Sequence, residues 1–224
     1  MNFRNKPLPL RLVILFAGLF VYSFGIVLTV RANIGYSPWD IFHQGIATRV
    51  GLTIGNMSIL VGMAILAVNW LLKEKVGVAT ILNVLFIGTF MDLIINSNVI
   101  PKNDGLFSGA FMMLGGLFVI GFATPIYLSA ALGAGPRDGL MLVLTKLTKK
   151  DIALVRNAIE LIVTVLGYLL GGPVGLGTVL TFLTMGYFVK FAFSVLKFNP
   201  QAIHHQYVDS LFKNKENAEV KETL

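Results

Sequence analysis

The chain has 224 residues, is 55% hydrophobic and only 13% charged, and sets 18 Lys+Arg against 11 Asp+Glu for a formal net charge of +7. Soluble domains run nearer a quarter charged, so the composition excludes an ordinary soluble enzyme and a disordered tail protein. It describes a polytopic membrane protein, to be divided into spans of about 20 apolar residues each. Cysteine is absent, which removes disulfides, thiol nucleophiles and cysteine metal sites. Three histidines occur, His43, His204 and His205, and no HExxH, Walker or GxGxxG signature is present. The cations are scattered between apolar runs, as positive cytoplasmic loops would be, and do not form a nucleic-acid surface. The first apolar run lacks a small-residue cleavage site and is read as a span, not as a removable signal.

Residues 1–11 carry Arg4, Lys6 and Arg11 with no acid and form the expected cytoplasmic N-terminus. The first apolar run is Leu12–Val30. Residues 31–50 then break the pattern with Arg31, Asp40, His43 and Arg49, and Pro38 marks the start of a short helix that ends near Val50. A second run, about Met57–Leu72, is stopped by Lys73-Glu74-Lys75. A third, Val76–Ile95, holds Asn83 and Asp92, and residues 96–105 form a polar linker. The fourth run is Leu106–Leu132, followed by a second interrupted stretch with a short helix over 135–149. The fifth, Ile152–Leu170, contains Arg156, Asn157 and Glu160; Gly171-Gly172-Pro173 makes a turn into the sixth, Val174–Leu196, which contains Lys190. Residues 197–224 read as a solvated cytoplasmic tail with one short helix around Tyr207–Phe212.

The chain repeats itself. A shift of 98 residues lays Ala32, Gly35, Pro38 and Asp40 on Ala130, Gly133, Pro136 and Asp138, and Gly77, Thr80 and Gly88 on Gly175, Thr178 and Gly186, without a gap. Leucines align by chance in apolar sequences, but a G-x-x-P-x-D motif and several glycines at one offset do not, so the pattern predicts a duplication. The expected units are 12–95, with a half-helix at 36–50, and 106–196, with a half-helix at 135–149. Each half-helix of some 13 residues reaches only roughly 20 Å, short of a core of about 30 Å, so a re-entrant segment is preferred to a span. Three spans per unit would invert the second unit relative to the first. The expected fold is all-α, with six transmembrane helices and two re-entrant half-helices in two inverted repeats and both termini cytoplasmic. Loop charges agree: Lys73, Lys75, Arg137, Lys146, Lys149 and Lys150 fall inside under this scheme, and Arg31, Arg49 and Lys102 outside.

Non-helical backbone at membrane depth is tolerated where protein covers it or water reaches it, and inverted repeats with broken helices are a common ground plan of secondary transporters. Gly35 and Gly133 permit the sharp entry; Pro38 and Pro136 suit a first helical turn. Asp40 and Asp138 fall in that turn, where two readings stand. Each can complement the helix dipole and cap free N–H groups, or each can hold a cation, a proton or a cationic group of a solute. Arg137 can neutralise Asp138 or face cytoplasmic headgroups. Arg156 and Glu160, four apart on one helical face, can pair, as a fixed internal ion pair or as a gate that opens in transport. Asp92 and Lys190, at equivalent repeat positions near span ends, are expected to snorkel to headgroups. Asn83 can hydrogen-bond between helices or touch solute. His43 reads as a polar contact at the membrane edge, Trp39 as a member of an interfacial belt or a stacking platform, and Gly62 and Gly167 as points of close helix packing.

The stretch 30–44, VRANIGYSPWDIFHQ, resembles the first motif of the bacterial YczE/YyaS/YitT-like integral membrane proteins, and LGAGPRDGLM at 132–141 resembles their second. Arg156, Glu160 and the segment from Gly171 to Thr178 match as well, and the likeness covers nearly all of the chain but its tail. Arg31, Trp39 and Gln44 join the site candidates through this resemblance. The second motif lacks the Trp and His-Gln of the first, so the two half-sites differ chemically. The resemblance implies a small bacterial inner-membrane protein and no one activity. The reading it leaves is a plasma-membrane transporter of an unidentified small solute, working by alternating access in the lipid bilayer without a cofactor or metal, with a homodimer left open. The rival is a membrane scaffold that supports a neighbouring enzyme or transporter. Enzymatic activity is not expected, because no nucleophile–base pair stands at useful spacing.

Overall fold

A computed structural model of the chain describes residues 3–4, 6–200 and 203. Among the described residues the regular elements are helices: α1 (Leu8–Arg31), α2 (Pro38–Val50), α3 (Ile54–Leu71), α4 (Val78–Asn96), α5 (Leu106–Ser129), α6 (Pro136–Thr148), α7 (Ile152–Leu169) and α8 (Leu176–Val195). Six of them, α1, α3, α4, α5, α7 and α8, are long and apolar enough to cross a membrane. The protein is therefore an all-α, multi-pass membrane protein with two short helices of 13 residues each. The expected tail helix around Tyr207–Phe212 lies outside the described residues, as do His204 and His205.

Local sequence sets these boundaries. Pro38 and Pro136 open α2 and α6, their fixed φ suiting a first turn whose N–H groups have no intrahelical partner. Gly35 at φ +107° and Gly133 at φ +132° turn the chain sharply just before, in a region L side chains rarely enter. Both short helices end in a left-handed residue, Gly51 at φ 71° and Lys149 at φ 55°. Two of the long helices are capped by side chains: Thr53 accepts from Asn56 N in α3, and Asp151 from Ala153 N, at 2.8 Å, in α7.

Within a bilayer, close contact between helices replaces the hydrophobic drive that water supplies. The centre of the bundle is the antiparallel pair α1 and α5. Gly18 sits against Tyr127 and Gly25 against Gly116, where a Cβ on Gly25 would lie 2.9 Å from the Gly116 carbonyl oxygen. Leu15, Leu19, Met113 and Leu117 fill this seam with no more than 1% of their surface exposed. α4 flanks α1 as α8 flanks α5, and α2 lies on α7 as α6 lies on α3. The loops obey the same exchange. Gly177 N donates to Ile34 O at 2.7 Å and Ala79 N to Leu132 O at 2.9 Å, two bonds whose partners are related by the 98-residue offset.

The largest break in this pattern is at one joint. α3 packs along α4, whereas α7 and α8 do not pack along their lengths. The short helices differ in the same sense: six residues of α2 are buried, and only Pro136 and Val143 of α6.

Two expectations about charged residues are corrected. Arg11 is not a loop cation. It is 4% exposed, and its guanidinium donates from Nε to Ala130 O at 2.8 Å and from Nη2 to Ala131 O at 3.1 Å, satisfying carbonyls beyond the C-terminus of α5. Asp92 does not snorkel outward: it accepts from the Thr53 hydroxyl and, at 3.0 Å, from Gly55 N, so it closes the end of α4 onto the start of α3.

Candidate functional site

The N-termini of α2 and α6 face each other across the centre of the bundle. Their second residues, Trp39 and Arg137, stand 98 apart in sequence and meet directly, the Arg137 guanidinium carbon lying 4.6 Å from the centre of the Trp39 ring as a cation–π contact. Around this contact is a cavity of about 370 Å³. Its polar lining includes Ser37, Asp40, Arg137, Asp138, Arg156, Asn157 and Glu160; its apolar walls include Tyr22 and Ile26 of α1, Leu117 and Ile120 of α5, and Phe182 and Met185 of α8. Both first-turn aspartates, both arginines and the glutamate expected from sequence are thus drawn to one place.

The charges there are partly matched. Asp40 accepts a hydrogen bond from the Ser37 hydroxyl, and the Asp138 carboxylate lies beside Gly135, 3.3 Å from where a Cβ on that glycine would be. Both carboxylates thus lie at the start of their own helix, where a negative charge complements the helix dipole. Arg156 Nε donates to Glu160 Oε1 at 3.0 Å, so the pair seen in the sequence forms. Glu160 is the ninth of the 18 residues of α7, half-way along a helix with roughly 13 Å of length on either side. The Arg156 side chain is nevertheless 52% exposed. A charge within a span is costly unless paired or wetted, and the Arg156–Glu160 bond supplies the pairing.

A second cavity, of about 480 Å³, shares Arg137, Asp138 and Arg156 with the first. Asn83 of α4 lines it, and it extends to Ile152 at the start of α7 and Val189 and Phe193 towards the end of α8. The two cavities together lead from the meeting point of α2 and α6 to one end of the bundle, through the gap between α7 and α8.

Other candidates lie elsewhere. Arg31 does not line either cavity; its Nη2 donates to Ile95 O at 2.8 Å and Asn98 Oδ1 at 3.2 Å, tying the end of α1 to the end of α4. Gln44 also stands apart and donates to Thr48 Oγ1 one turn on, at 2.9 Å. Gly35 and Gly133 act on the backbone: Gly35 rests on Gly175, and Gly133 on Gly77. Gly167 packs on the α2 backbone at Ile41 and Phe42, and Gly62 on Val84.

Some residues of the site had little signal in the sequence. His43 is fully buried within the protein; both its ring nitrogens lack a hydrogen-bond partner, with Nδ1 3.7 Å from Asp40 Oδ1. Asn69, near the end of α3 and 2% exposed, donates to Pro136 O at 2.8 Å and so holds the first residue of α6. An amide inside an apolar run was the available sign. Thr178 Oγ1 donates to Tyr36 O at 2.8 Å, fixing the entry to α2 from α8.

Comparison with known proteins agrees with this membrane architecture. Residues 9–194 match the pattern of a family of unknown function, DUF6198. The chain is 37% identical over 193 residues to the "Uncharacterized membrane protein YczE" of Bacillus subtilis, covering 84% of this chain and 87% of that protein. It is 38% identical over 184 residues to an "Uncharacterized protein" of Haemophilus influenzae, covering 82% and 83%. With the "Uncharacterized protein YyaS" of Bacillus subtilis it shares 33% over 167 residues, covering 73% and 83%. No solved structure matches.

Proposed function

This chain belongs to the DUF6198 family, and from that premise we propose that it is a secondary transporter, moving a small solute across the bacterial plasma membrane by alternating access and without chemical conversion. The observation that carries the reading is the cavity between the α2 and α6 N-termini, which holds Asp40, Asp138, Arg137, Arg156 and Glu160 among apolar walls. Ionisable groups at membrane depth mark solute or ion pathways, and a site at a repeat interface, formed by short helices, is how transporters of this ground plan are built. Asp40 and Asp138 are assigned to solute or coupling-ion contact; Arg137 and the Arg156–Glu160 pair to charge balance and gating.

An inverted, six-span arrangement is part of the proposal. Contacts between distant segments support it. Phe3 N donates to Ser129 O at 3.0 Å, and Lys146 Nζ pairs with Glu74 at 2.6 Å. With the Ala79 N–Leu132 O bond, which ties the start of α4 to the loop after α5, these group the N-terminus, the end of α5, the α3–α4 loop and the end of α6. Asn103 N donates to Arg31 O at 2.8 Å, and Arg49 donates to Leu169 O and Leu170 O, both at 2.9 Å. Were α2 and α6 full spans, each of these contacts would join opposite faces. The first group of segments carries Lys73, Lys75, Lys146, Lys149 and Lys150, so the positive-inside rule makes it cytoplasmic, with both termini. In that orientation α3 and α4 close the outer side and the gap between α7 and α8 opens inwards.

The test is uptake and binding of a panel of small solutes by purified protein in liposomes, with Asp40→Asn and Asp138→Asn alongside wild type. A solute taken up by wild type, and at least about tenfold more slowly by the variants, a loss of about 1.4 kcal/mol of stabilisation, is the expected result. Identical behaviour of wild type and both variants for every solute bound would overturn the assignment and favour a scaffold.

A further inference from the structure

The two halves of the molecule pair most of their helices alike, and the largest departure is that α3 packs along α4 while α7 stands away from α8. The closed half shows how that joint is made. Gly55 and Gly88 bring α3 and α4 together so closely that a Cβ on Gly88 would lie 2.3 Å from the Gly55 carbonyl oxygen, and Asp92 then binds the Thr53 hydroxyl and Gly55 N.

A shift of 98 residues converts this joint into another one. Gly88 becomes Gly186, Gly55 becomes Ala153, Thr53 becomes Asp151 and Asp92 becomes Lys190. Gly186 has open space where a Cβ would be, with nothing within 4 Å. It is a mid-helix glycine with no present packing, although glycine there costs about 1 kcal/mol of helix propensity relative to alanine. Asp151 and Lys190 form no ion pair among the described residues. They carry opposite charges at the two positions that are hydrogen-bonded to each other in the closed half. Ala153 in place of glycine would hold the helices a methyl further apart, and the long lysine side chain spans a gap that the aspartate of the other half could not.

We propose that α8 closes against α7 by seating Gly186 on Ala153, and that an Asp151–Lys190 ion pair latches this second joint. The inference rests on the transport reading for its purpose, since alternating access requires each side to close in turn, but the closure is measurable by itself.

The natural absence of cysteine makes the experiment direct. Full-length protein in liposomes is prepared with paired cysteines at Asp151 and Lys190, at Ala153 and Gly186, and, as the reference joint, at Thr53 and Asp92. Disulfide formation under mild oxidation is read by loss of thiol labelling. The expected result is disulfide formation in the reference pair and in both α7–α8 pairs, with Asp151→Asn, which keeps a capping oxygen, slowing closure of the Ala153–Gly186 pair. The Ala153–Gly186 pair serves should loss of the Asp151 cap impair folding. A reference pair that oxidises while neither α7–α8 pair does would overturn the latch; so would closure of the Ala153–Gly186 pair at an unchanged rate in Asp151→Asn. If the α7–α8 pairs close and no solute is moved, the latch stands and the transport reading fails.

Discussion

Asn69 holds the start of α6 through a single buried side chain. Its repeat counterpart is Gly167, which lets α7 touch the backbone of α2, a Cβ there falling 2.6 Å from Phe42 N. On the other side α6 has the Asn69–Pro136 hydrogen bond at 2.8 Å in place of that backbone contact. Replacing Asn69 by Ala removes a buried bond of the order of 1 kcal/mol. The midpoint of thermal unfolding should fall by about 2–4 °C, and a cysteine placed at Leu142 in α6 should become more reactive to thiol reagents. An unchanged reactivity would mean that α6 is held by something other than this bond. At this scale the sequence was partly legible. Arg156 and Glu160 were paired by their spacing of four, and the G-x-x-P-x-D motifs located Asp40 and Asp138. Arg31 and Gln44, carried by the motif resemblance, turn out to tie helix ends and turns. Asp92 and Arg11 were misread because proximity to a span end in sequence does not tell whether a charge faces lipid headgroups or a neighbouring helix end.

The elements were the most legible part, since spans follow from apolar length and the short helices from Pro and Gly punctuation. The sequence expectation of a helix from Pro38 to Val50 coincides with α2. α1 starts earlier than its apolar run, at Leu8 instead of Leu12, because Arg11 is buried against α5 and does not end the helix. Orientation is testable at this scale. Single cysteines at Lys75 and at Lys102 should react with a membrane-impermeant thiol reagent from opposite faces, Lys75 from the cytoplasmic side and Lys102 from outside. Labelling of Lys75 from outside would remove the six-span scheme, and with it the inversion.

At the scale of the whole molecule, the 98-residue offset in sequence has counterparts in the helix contacts, such as the Gly177–Ile34 and Ala79–Leu132 bonds, but the departure from symmetry has no such sign. That α3 closes on α4 while α7 stands away from α8 is a property of packing, and no residue pattern announced it. The gap between α7 and α8 lets the second cavity run towards the end of the bundle where α7 starts and α8 ends, and the proposed alternating-access cycle requires that opening to close in its other state. Asn157 lies on the wall of the cavity beside the Arg156–Glu160 pair, so it reports which side the space is open to without knowledge of the solute. The most direct measurement is therefore the reaction of a cysteine at Asn157 with an impermeant thiol reagent applied separately to each face of oriented vesicles. Alternating access predicts modification from both faces, with disulfide closure of the Ala153–Gly186 pair abolishing it from the cytoplasmic side alone. Modification from one face only, whatever the state of the α7–α8 joint, would contradict it.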